Sequence, residues 1–204
     1  MDLHDNIVTQ FQHPHGMLGR MAGWVMAHRP SNRDRNRWTI DLLNVQPHDH
    51  ILELGCGPGL GLQACLKKAT HGVVVGLDHS KTMLDQAESR NRWAVVKGQL
   101  QLRLGSLDEF SGSPEQFDKI FSVNVIHFFD DKSAVVNILY AHLKPNGMVA
   151  TTYMPRGRNP SRANALILAE EVKQHMEQVG FVRIRMEELP LEPIPAVCVL
   201  GEHP

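Results

Sequence analysis

The sequence lacks the features that mark several classes of protein. Among its 204 residues are three cysteines, an odd number at unrelated spacings, which argues against a disulfide framework. Neither sign of charge dominates, because 21 lysines and arginines stand against 22 aspartates and glutamates, so no global field attracts nucleic acid. Apolar runs are short, and Met1 to Asp5 includes neither a basic nor an apolar leader region. We therefore expect a cytoplasmic protein with no membrane span and no nucleic-acid partner.

Motifs for metal binding, for a nucleophilic serine and for phosphate binding are also missing. The twelve histidines include His13 with His15 and His48 with His50, but neither pair has cysteines or carboxylates at ligand spacing. No His-Glu-x-x-His or paired Cys-x-x-Cys occurs. The Gly-x-Ser-x-Gly turn and the Gly-x-x-x-x-Gly-Lys loop are absent as well. The sequence therefore predicts no metal.

Short apolar runs alternate with helix-like stretches between residues 50 and 201. This pattern predicts an α/β fold, a mostly parallel sheet with helices on both faces. The seven candidate strands are His50–Leu54, Val73–Leu77, Leu100–Leu104, Lys119–Val123, Met148–Tyr153, Val182–Glu188 and Ala196–Gly201. The last two have no helix between them, so we expect the final strand to be antiparallel.

Residues 1–37 differ from the single domain predicted for residues 38–204. From His13 to Arg37, apolar residues recur at helix-like intervals and are followed by arginines. One interpretation is a helix packed on the sheet, followed by a solvated basic turn. The other is a helical lid or cap over a binding site, in which Trp24 covers a substrate and Arg29 anchors it.

The strongest signal is a glycine-rich turn between a candidate strand and a candidate helix, Glu53-Leu-Gly-Cys-Gly-Pro-Gly59. Glycine adopts positive φ in such a turn and lets a ligand lie against the main chain. The spacing is not the Gly-x-Gly-x-x-Gly of dinucleotide-binding proteins, since the third glycine would fall on Leu60 or Leu62. Asp78 follows the next strand, where a carboxylate accepts hydrogen bonds from ribose hydroxyls. Together the two segments predict a nucleoside site.

These segments, with Gly76 to Met83, Phe117 to His127 and Leu143 to Met148, resemble the class I S-adenosylmethionine-dependent methyltransferases. The resemblance implies a Rossmann-like seven-stranded sheet, S-adenosyl-L-methionine as the cofactor and S-adenosyl-L-homocysteine as the product. The cofactor-binding residues that it implies are Glu53, Gly55, Cys56, Gly57, Gly59, Asp78, His79, Met83, Ser106, Leu107, Asn124 and Val125.

The resemblance also implies a part of the cofactor for each of these positions. The glycines lie beneath the methionine portion, with Glu53 near its amino group. Asp78 holds the ribose, and Ser106 faces the adenine where the family most often has an aspartate. Asn124 and Val125 contact the sulfonium end, from which the methyl group leaves.

Fewer residues are predicted for the acceptor side of the site. His127 follows the fourth strand and is a candidate general base, because imidazole titrates near neutral pH. It could instead only pack against its aromatic neighbours. Tyr153 ends the fifth strand and is a candidate to orient the acceptor. With Trp24 and Arg29, these two residues form the predicted substrate site.

The predicted function is methyl transfer by in-line displacement to a small organic acceptor. The sequence Asn124-Val-Ile-His127 differs from the Asn/Asp-Pro-Pro-Tyr/Phe set of family members that methylate amino nitrogens of nucleic acids. One alternative is an RNA or protein methyltransferase, with the arginines from Arg29 to Arg37 as its footprint. The other is a protein that binds S-adenosylmethionine without catalysis. We expect a monomer or a homodimer.

Overall fold

The computed structural model describes residues 30–156 and 159–204. The helices are α1 (Pro30–Leu42), α2 (Leu60–Leu66), α3 (Lys81–Arg90), α4 (Arg92–Val96), α5 (Leu107–Phe110), α6 (Lys132–Ala141) and α7 (Arg162–Val179). The strands are β1 (His50–Leu54), β2 (Val73–Asp78), β3 (Leu100–Leu104), β4 (Phe117–Val123), β5 (Leu143–Tyr153), β6 (Val182–Leu189) and β7 (Ala196–Glu202). A 3₁₀ turn, Ile126–Phe128, follows β4.

The seven strands form one sheet in the order β3-β2-β1-β4-β5-β7-β6. The first five pair in parallel, whereas β7 is antiparallel to both β5 and β6. The α/β prediction and the antiparallel final strand are therefore confirmed. Strands β2 and β3 extend the sheet on one side of β1, and the strands after β4 extend it on the other side. Open α/β sheets bind ligands at such a switch point, beyond the carboxyl ends of the strands.

The two faces of the sheet carry separate hydrophobic cores. In β1, Ile51 packs with residues of α1 to α4, while Leu52 packs with residues of α5 to α7. Val74 and Val75 in β2 divide in the same way, as expected from the two-residue period of a strand. Glu53 lies two residues after Ile51, so this period directs its side chain to the face covered by α1 and α2.

Helix α1 runs through residue 37 without a break and packs against the sheet. Its buried residues are Arg35, Asn36, Thr39 and Ile40. The hydroxyls of Thr39 and Thr152 lie 2.6 Å apart, and Nη1 of Arg35 donates to the sulphur of Met154 at 2.7 Å. The described part of the N-terminal segment is thus built into the domain. Residues 1–29 of the predicted lid, which include Trp24 and Arg29, lie outside the described residues, so the lid stays a prediction.

The described residues contain neither a helix suited to cross a membrane nor a cluster of metal ligands. No helix in these ranges has both the length and the apolar character needed to cross a membrane. No group of three or more histidines, cysteines, aspartates or glutamates in the same ranges is arranged to hold a metal ion.

Candidate cofactor and acceptor site

The glycine turn is a left-handed segment attached to the neighbouring strand. Gly55, Gly57 and Gly59 have φ of 65°, 51° and 80°, values that favour glycine. The main-chain N–H groups of Gly55 and Cys56 both donate to the carbonyl of Leu77, at 2.8 and 3.1 Å. The turn is therefore fixed to the end of β2 and leads directly into α2.

The space beside the glycines differs from one position to the next. A Cβ at Gly55 would lie 2.5 Å from Cγ2 of Val125, so this glycine allows the loop after β4 to approach the turn. A Cβ at Gly57 would meet no atom of the described residues within 4 Å. The main chain at Gly57 therefore borders open space, where a ligand can lie against it.

Asp78 ends β2 and organises the turn. Its Oδ2 accepts from the N–H of Gly57 and its Oδ1 from the N–H of Ser80, both at 2.8 Å. Burial raises the pKa of this carboxyl above its usual value, although the two main-chain hydrogen bonds and nearby His79 act in the opposite direction. A carboxylate held in this way has acceptor capacity left for hydroxyl groups of a ligand.

Glu53 is 3% exposed and lies at the end of β1. Burial raises the pKa of this carboxyl well above its usual value, against the effect of a hydrogen bond from the N–H of Leu62. Its Oε1 lies where a Cβ of Gly61 would stand, and its Oε2 has no hydrogen-bond partner among the described residues. A buried carboxyl with an unused oxygen fits a positively charged or hydrogen-bonding group of a ligand.

The residues predicted to border the adenine lie after β2 and β3. Met83 is buried in the first turn of α3, behind the Ser80 cap. The hydroxyl of Ser106 accepts from the N–H of Glu109 at 3.2 Å, and the Glu109 carboxylate accepts from the N–H of Ser106 at 2.8 Å. This capping box holds the Ser106 hydroxyl at the start of α5, and Leu107 is buried behind it.

Asn124 joins the ends of β4 and β5. At φ 58°, its N–H donates to the carbonyl of Thr152 at 2.8 Å. Its side-chain amide then makes two hydrogen bonds to the main chain of Met154, as donor at 3.1 Å and as acceptor at 2.9 Å. The side chain predicted to contact the sulfonium end therefore continues the β4–β5 ladder, and we call this pair of bonds the Asn124–Met154 latch.

His127 and Tyr153 come together at the ends of the same two strands, with ring centroids 4.8 Å apart. Burial, assisted by the charge of Lys132, lowers the pKa of His127 to about 4. Burial raises the pKa of Tyr153. Both side chains are therefore uncharged at neutral pH, and Nδ1 of His127 has no hydrogen-bond partner among the described residues.

Two residues that support the glycine turn are absent from the predicted site. Nδ2 of Asn91 donates to the carbonyls of Gly59 and Ala87, at 3.1 and 3.0 Å. Nε of Arg90 donates to the carbonyl of Pro58 at 2.9 Å. Both follow the turn by 32 residues in the sequence, and no local pattern marks them.

The arrangement thus provides an open main-chain surface between two buried carboxyls, with an uncharged histidine and tyrosine on the next strands. Val125 joins the two parts, because it contacts the Gly55 turn and directly precedes the 3₁₀ turn with His127. Of the predicted substrate residues, Trp24 and Arg29 lie outside the described ranges.

Comparison with protein families and relatives agrees with this geometry. Residues 52–149 match the family model of the methyltransferase domain. The uncharacterised methyltransferase YdaC of Bacillus subtilis is 31% identical over 184 residues, which is 90% of this chain and 98% of that protein. A demethylmenaquinone methyltransferase of Lactobacillus johnsonii is 29% identical, over 78% of this chain and 63% of that protein. The 18S rRNA (guanine(1575)-N(7))-methyltransferase of Saccharomyces cerevisiae is 32% identical, over 57% of this chain and 44% of that protein.

Solved structures share the fold at low sequence identity. The N-methyltransferase NodS of Bradyrhizobium japonicum, in complex with S-adenosyl-L-homocysteine, matches with a TM-score of 0.73 at 14% identity, over 98% of both chains. The magnesium protoporphyrin IX methyltransferase of Synechocystis, also with bound S-adenosylhomocysteine, matches with a TM-score of 0.65 at 13% identity, over 84% of this chain and 83% of that chain.

Proposed function

This chain belongs to the S-adenosylmethionine-dependent methyltransferases, and we propose that its acceptor is a small organic molecule bound at the carboxyl ends of β4 and β5. The observation that carries the proposal is the contact of Val125 with the position of a Gly55 side chain. It brings the loop with His127 against the glycine turn, so a cofactor and an acceptor have adjacent places.

The described residues fit S-adenosylmethionine. In the proposed arrangement its methionine portion lies on the open main chain at Gly57, with its ammonium group near the unused oxygen of Glu53. The ribose hydroxyls donate to Asp78, whose two oxygens each accept one main-chain hydrogen bond and have acceptor capacity left. His79, Met83, Ser106 and Leu107 are proposed to border the adenine.

Bound S-adenosylmethionine supplies an electrophilic methyl group on a positively charged sulphur. When a lone pair of the acceptor forms the new bond to the methyl carbon, the electrons of the sulphur–carbon bond stay on sulphur, and S-adenosylhomocysteine results. An acceptor hydroxyl or amine must also lose a proton. We assign to neutral His127 a hydrogen bond from this group. Because its pKa is low, His127 takes the proton of a hydroxyl only as the bond to the methyl carbon forms and makes that oxygen strongly acidic. We assign the orientation of the acceptor to the Tyr153 hydroxyl. The main contribution of both residues is positioning, since aligned reactants avoid much of the entropic barrier.

A small acceptor is favoured over RNA by the distribution of positive charge. In α1, Arg33 and Arg37 are exposed, but Arg35 is buried and directed to Met154. RNA stays the second candidate because one relative is an rRNA methyltransferase, whereas other relatives are a trans-aconitate and a demethylmenaquinone methyltransferase. The cytoplasmic location and the monomeric or dimeric state stay predictions.

A methyl-transfer assay tests the proposal. The purified protein is incubated with S-adenosylmethionine carrying a labelled methyl group and with one of three substrate pools: a metabolite extract, total RNA or total protein. We expect label in a small-molecule product and none in the macromolecules. Label in RNA or protein alone would contradict the small acceptor. Calorimetric titration with S-adenosylhomocysteine shows separately that the protein used is folded and binds the cofactor.

A further inference from the structure

Three aromatic side chains form a contiguous group where β4 and β5 end. The ring centroid of His127 lies 3.9 Å from that of Phe128 and 4.8 Å from that of Tyr153, with interplanar angles of 39° and 40°. Phe128 is 47% exposed, an unusual position for a phenylalanine. We call these three residues the aromatic group. Because it lies at the proposed acceptor position, its exposed ring is a surface that an acceptor can cover.

The charged side chains around the aromatic group are already engaged. Lys132 is the charged group that acts on His127, and its ammonium lies 3.4 Å from the carboxylate of Glu171. The carboxylate of Asp131 accepts from the N–H of Ala134 at 2.9 Å and caps α6. Of the described residues, Lys132 and Asp131 therefore offer little electrostatic attraction to a carboxylate or a phosphate.

The wall behind the aromatic group is also apolar. A narrow crevice beside Tyr153 is lined on its other sides by buried residues, which are Ile126, Thr151, Leu168, Val172 and Val197. These residues form the apolar backing of the aromatic group. Desolvation next to such a backing costs an uncharged, planar ligand little, whereas it costs an ionised group much.

We propose that the methyl acceptor is an uncharged molecule with an aromatic or similarly flat apolar ring, which packs on Phe128 with its reactive group beside His127. This inference rests on the proposed function and specifies its acceptor class. Aromatic rings favour tilted or offset contacts like those within the group itself. When the reactive group is a hydroxyl, its oxygen bonds to the methyl carbon while the sulphur–carbon bond breaks and leaves its electron pair on sulphur, and the hydroxyl proton passes to the imidazole of His127.

Arginines near the end of β5 would favour an anionic acceptor instead. Arg35 is buried, and its guanidinium donates to the sulphur of Met154 and to Oδ1 of Asn32. Arg156 is exposed two residues after Met154. Since Arg35 lies on the α1 face of the sheet and Tyr153 on the α7 face, Arg35 is separated from the aromatic group by the strand itself.

Three probes that share a naphthalene ring and carry either a neutral or an anionic substituent test the proposal. Protein saturated with S-adenosylhomocysteine is titrated with 2-naphthol, 2-naphthoate and 2-naphthyl phosphate, and the dissociation constants are measured by NMR. We expect 2-naphthol to bind at least about tenfold more tightly than either anion. The substitution Phe128→Ala should weaken 2-naphthol binding about five- to tenfold, and Phe128→Tyr should restore it. Ile167→Ala, which removes another exposed apolar side chain on α7, should have no effect.

The outcomes separate this inference from the function on which it rests. Equal or tighter binding of either anion overturns the inference, as does the absence of 2-naphthol binding by protein that holds S-adenosylhomocysteine. An unchanged dissociation constant in Phe128→Ala also overturns it. If the protein instead fails to bind S-adenosylhomocysteine, the proposed function itself is wrong. The affinity for S-adenosylhomocysteine should be the same in all the Phe128 variants.

Discussion

The two ends of the site are held together by different means. At the proposed cofactor end, formed by Glu53, the turn from Gly55 to Gly59 and Asp78, main-chain geometry and buried carboxyls define the shape. At the proposed acceptor end, formed by Asn124, His127, Phe128 and Tyr153, the shape depends on a side-chain latch and on ring contacts. A cofactor that is the same in many enzymes suits a site whose shape is set by the main chain. An acceptor that differs from one enzyme to another suits a site whose shape is set by side chains, because substitutions can change it.

The electrostatics of the two ends differ as well. Burial raises the pKa of Glu53 and of Asp78, so holding them ionised at neutral pH costs folding free energy. Burial lowers the pKa of His127 and raises that of Tyr153, so both stay neutral at no such cost. A cationic, hydroxyl-bearing ligand would offset this cost at the proposed cofactor end, whereas the proposed acceptor end carries no such cost.

The largest effect is expected from Asp78→Asn, at the cofactor end. The amide would present an N–H group to one of the two main-chain donors that Asp78 now accepts, at Gly57 and Ser80. The variant would lose one charge-assisted hydrogen bond in the turn and one to the ligand. Its affinity for S-adenosylhomocysteine, measured by calorimetry, should therefore fall about 100-fold or more. Asp85→Asn removes an exposed carboxylate paired with Lys81 and should leave the affinity unchanged. An affinity within threefold of the unsubstituted protein would refute the role of Asp78.

A pair of glycine substitutions separates ligand contact from backbone strain. Gly57 and Gly98 have φ of 51° and 72°, and a Cβ at either meets no described atom within 4 Å. Gly57→Ala and Gly98→Ala should each lower the free energy of unfolding by about 1 kcal/mol, because both place alanine in a left-handed conformation. Only Gly57→Ala should also weaken S-adenosylhomocysteine binding, by roughly tenfold or more. Equal affinities in the two variants would mean that the cofactor does not lie against Gly57.

A corresponding pair of asparagines tests the latch at the acceptor end. Asn124 and Asn44 have φ of 58° and 51°, so glycine suits both positions equally well. Asn124→Gly removes the two bonds to Met154 and should lower the free energy of unfolding by about 1–2 kcal/mol, in urea titrations. Its effect on S-adenosylhomocysteine affinity should be smaller than that of Gly57→Ala. Asn44→Gly should leave the free energy of unfolding nearly unchanged. If it lowers this free energy as much as Asn124→Gly does, the loss in Asn124→Gly cannot be attributed to the latch.

The fold and the left-handed glycine turn could be predicted because both depend on local patterns. Each of the seven candidate strands lies within an observed strand. Their short apolar runs, bounded by glycines and prolines, are patterns that can be read directly from the sequence. The strand ends were less accurate: β5 begins at Leu143, five residues before the predicted start, and β2 extends to Asp78. Three left-handed glycines in five residues leave a signature that few other structures share.

The acceptor end could not be predicted to the same depth because its contacts join residues far apart in the chain. The Asn124–Met154 latch spans 30 residues and the Arg35–Met154 contact spans 119. The sequence predicted backbone and side-chain contacts of Asn124 with the cofactor, which stay a prediction, but it gave no sign of the two bonds from the Asn124 amide to Met154. At Ser106 the structure reveals a capping box, which Glu109 three residues later could have indicated.

The smallest effect is expected from substitution of His127, and it concerns only how stability depends on pH. Its pKa of about 4 in the folded protein lies below its usual value of 6.5, so the unfolded chain binds a proton first as the pH falls. Protonation of the unfolded chain lowers stability between pH 6.5 and 4, and the loss ends below pH 4. Between pH 7 and pH 5, His127→Phe should therefore lose less stability than the unsubstituted protein, by about 1 kcal/mol or less because the ring is partly solvated.

NMR titration of the His127 ring checks the cause of this effect directly. A midpoint close to 4 means that the imidazole is neutral throughout the physiological range and ready to accept a hydrogen bond or a proton. When the methyl-transfer rate is measured with an identified acceptor, its pH profile should then show no inflection due to His127 between pH 6 and 8. A midpoint near 6.5 would instead mean that water reaches the ring freely, and the acceptor end would lose the uncharged character that distinguishes it from the cofactor end.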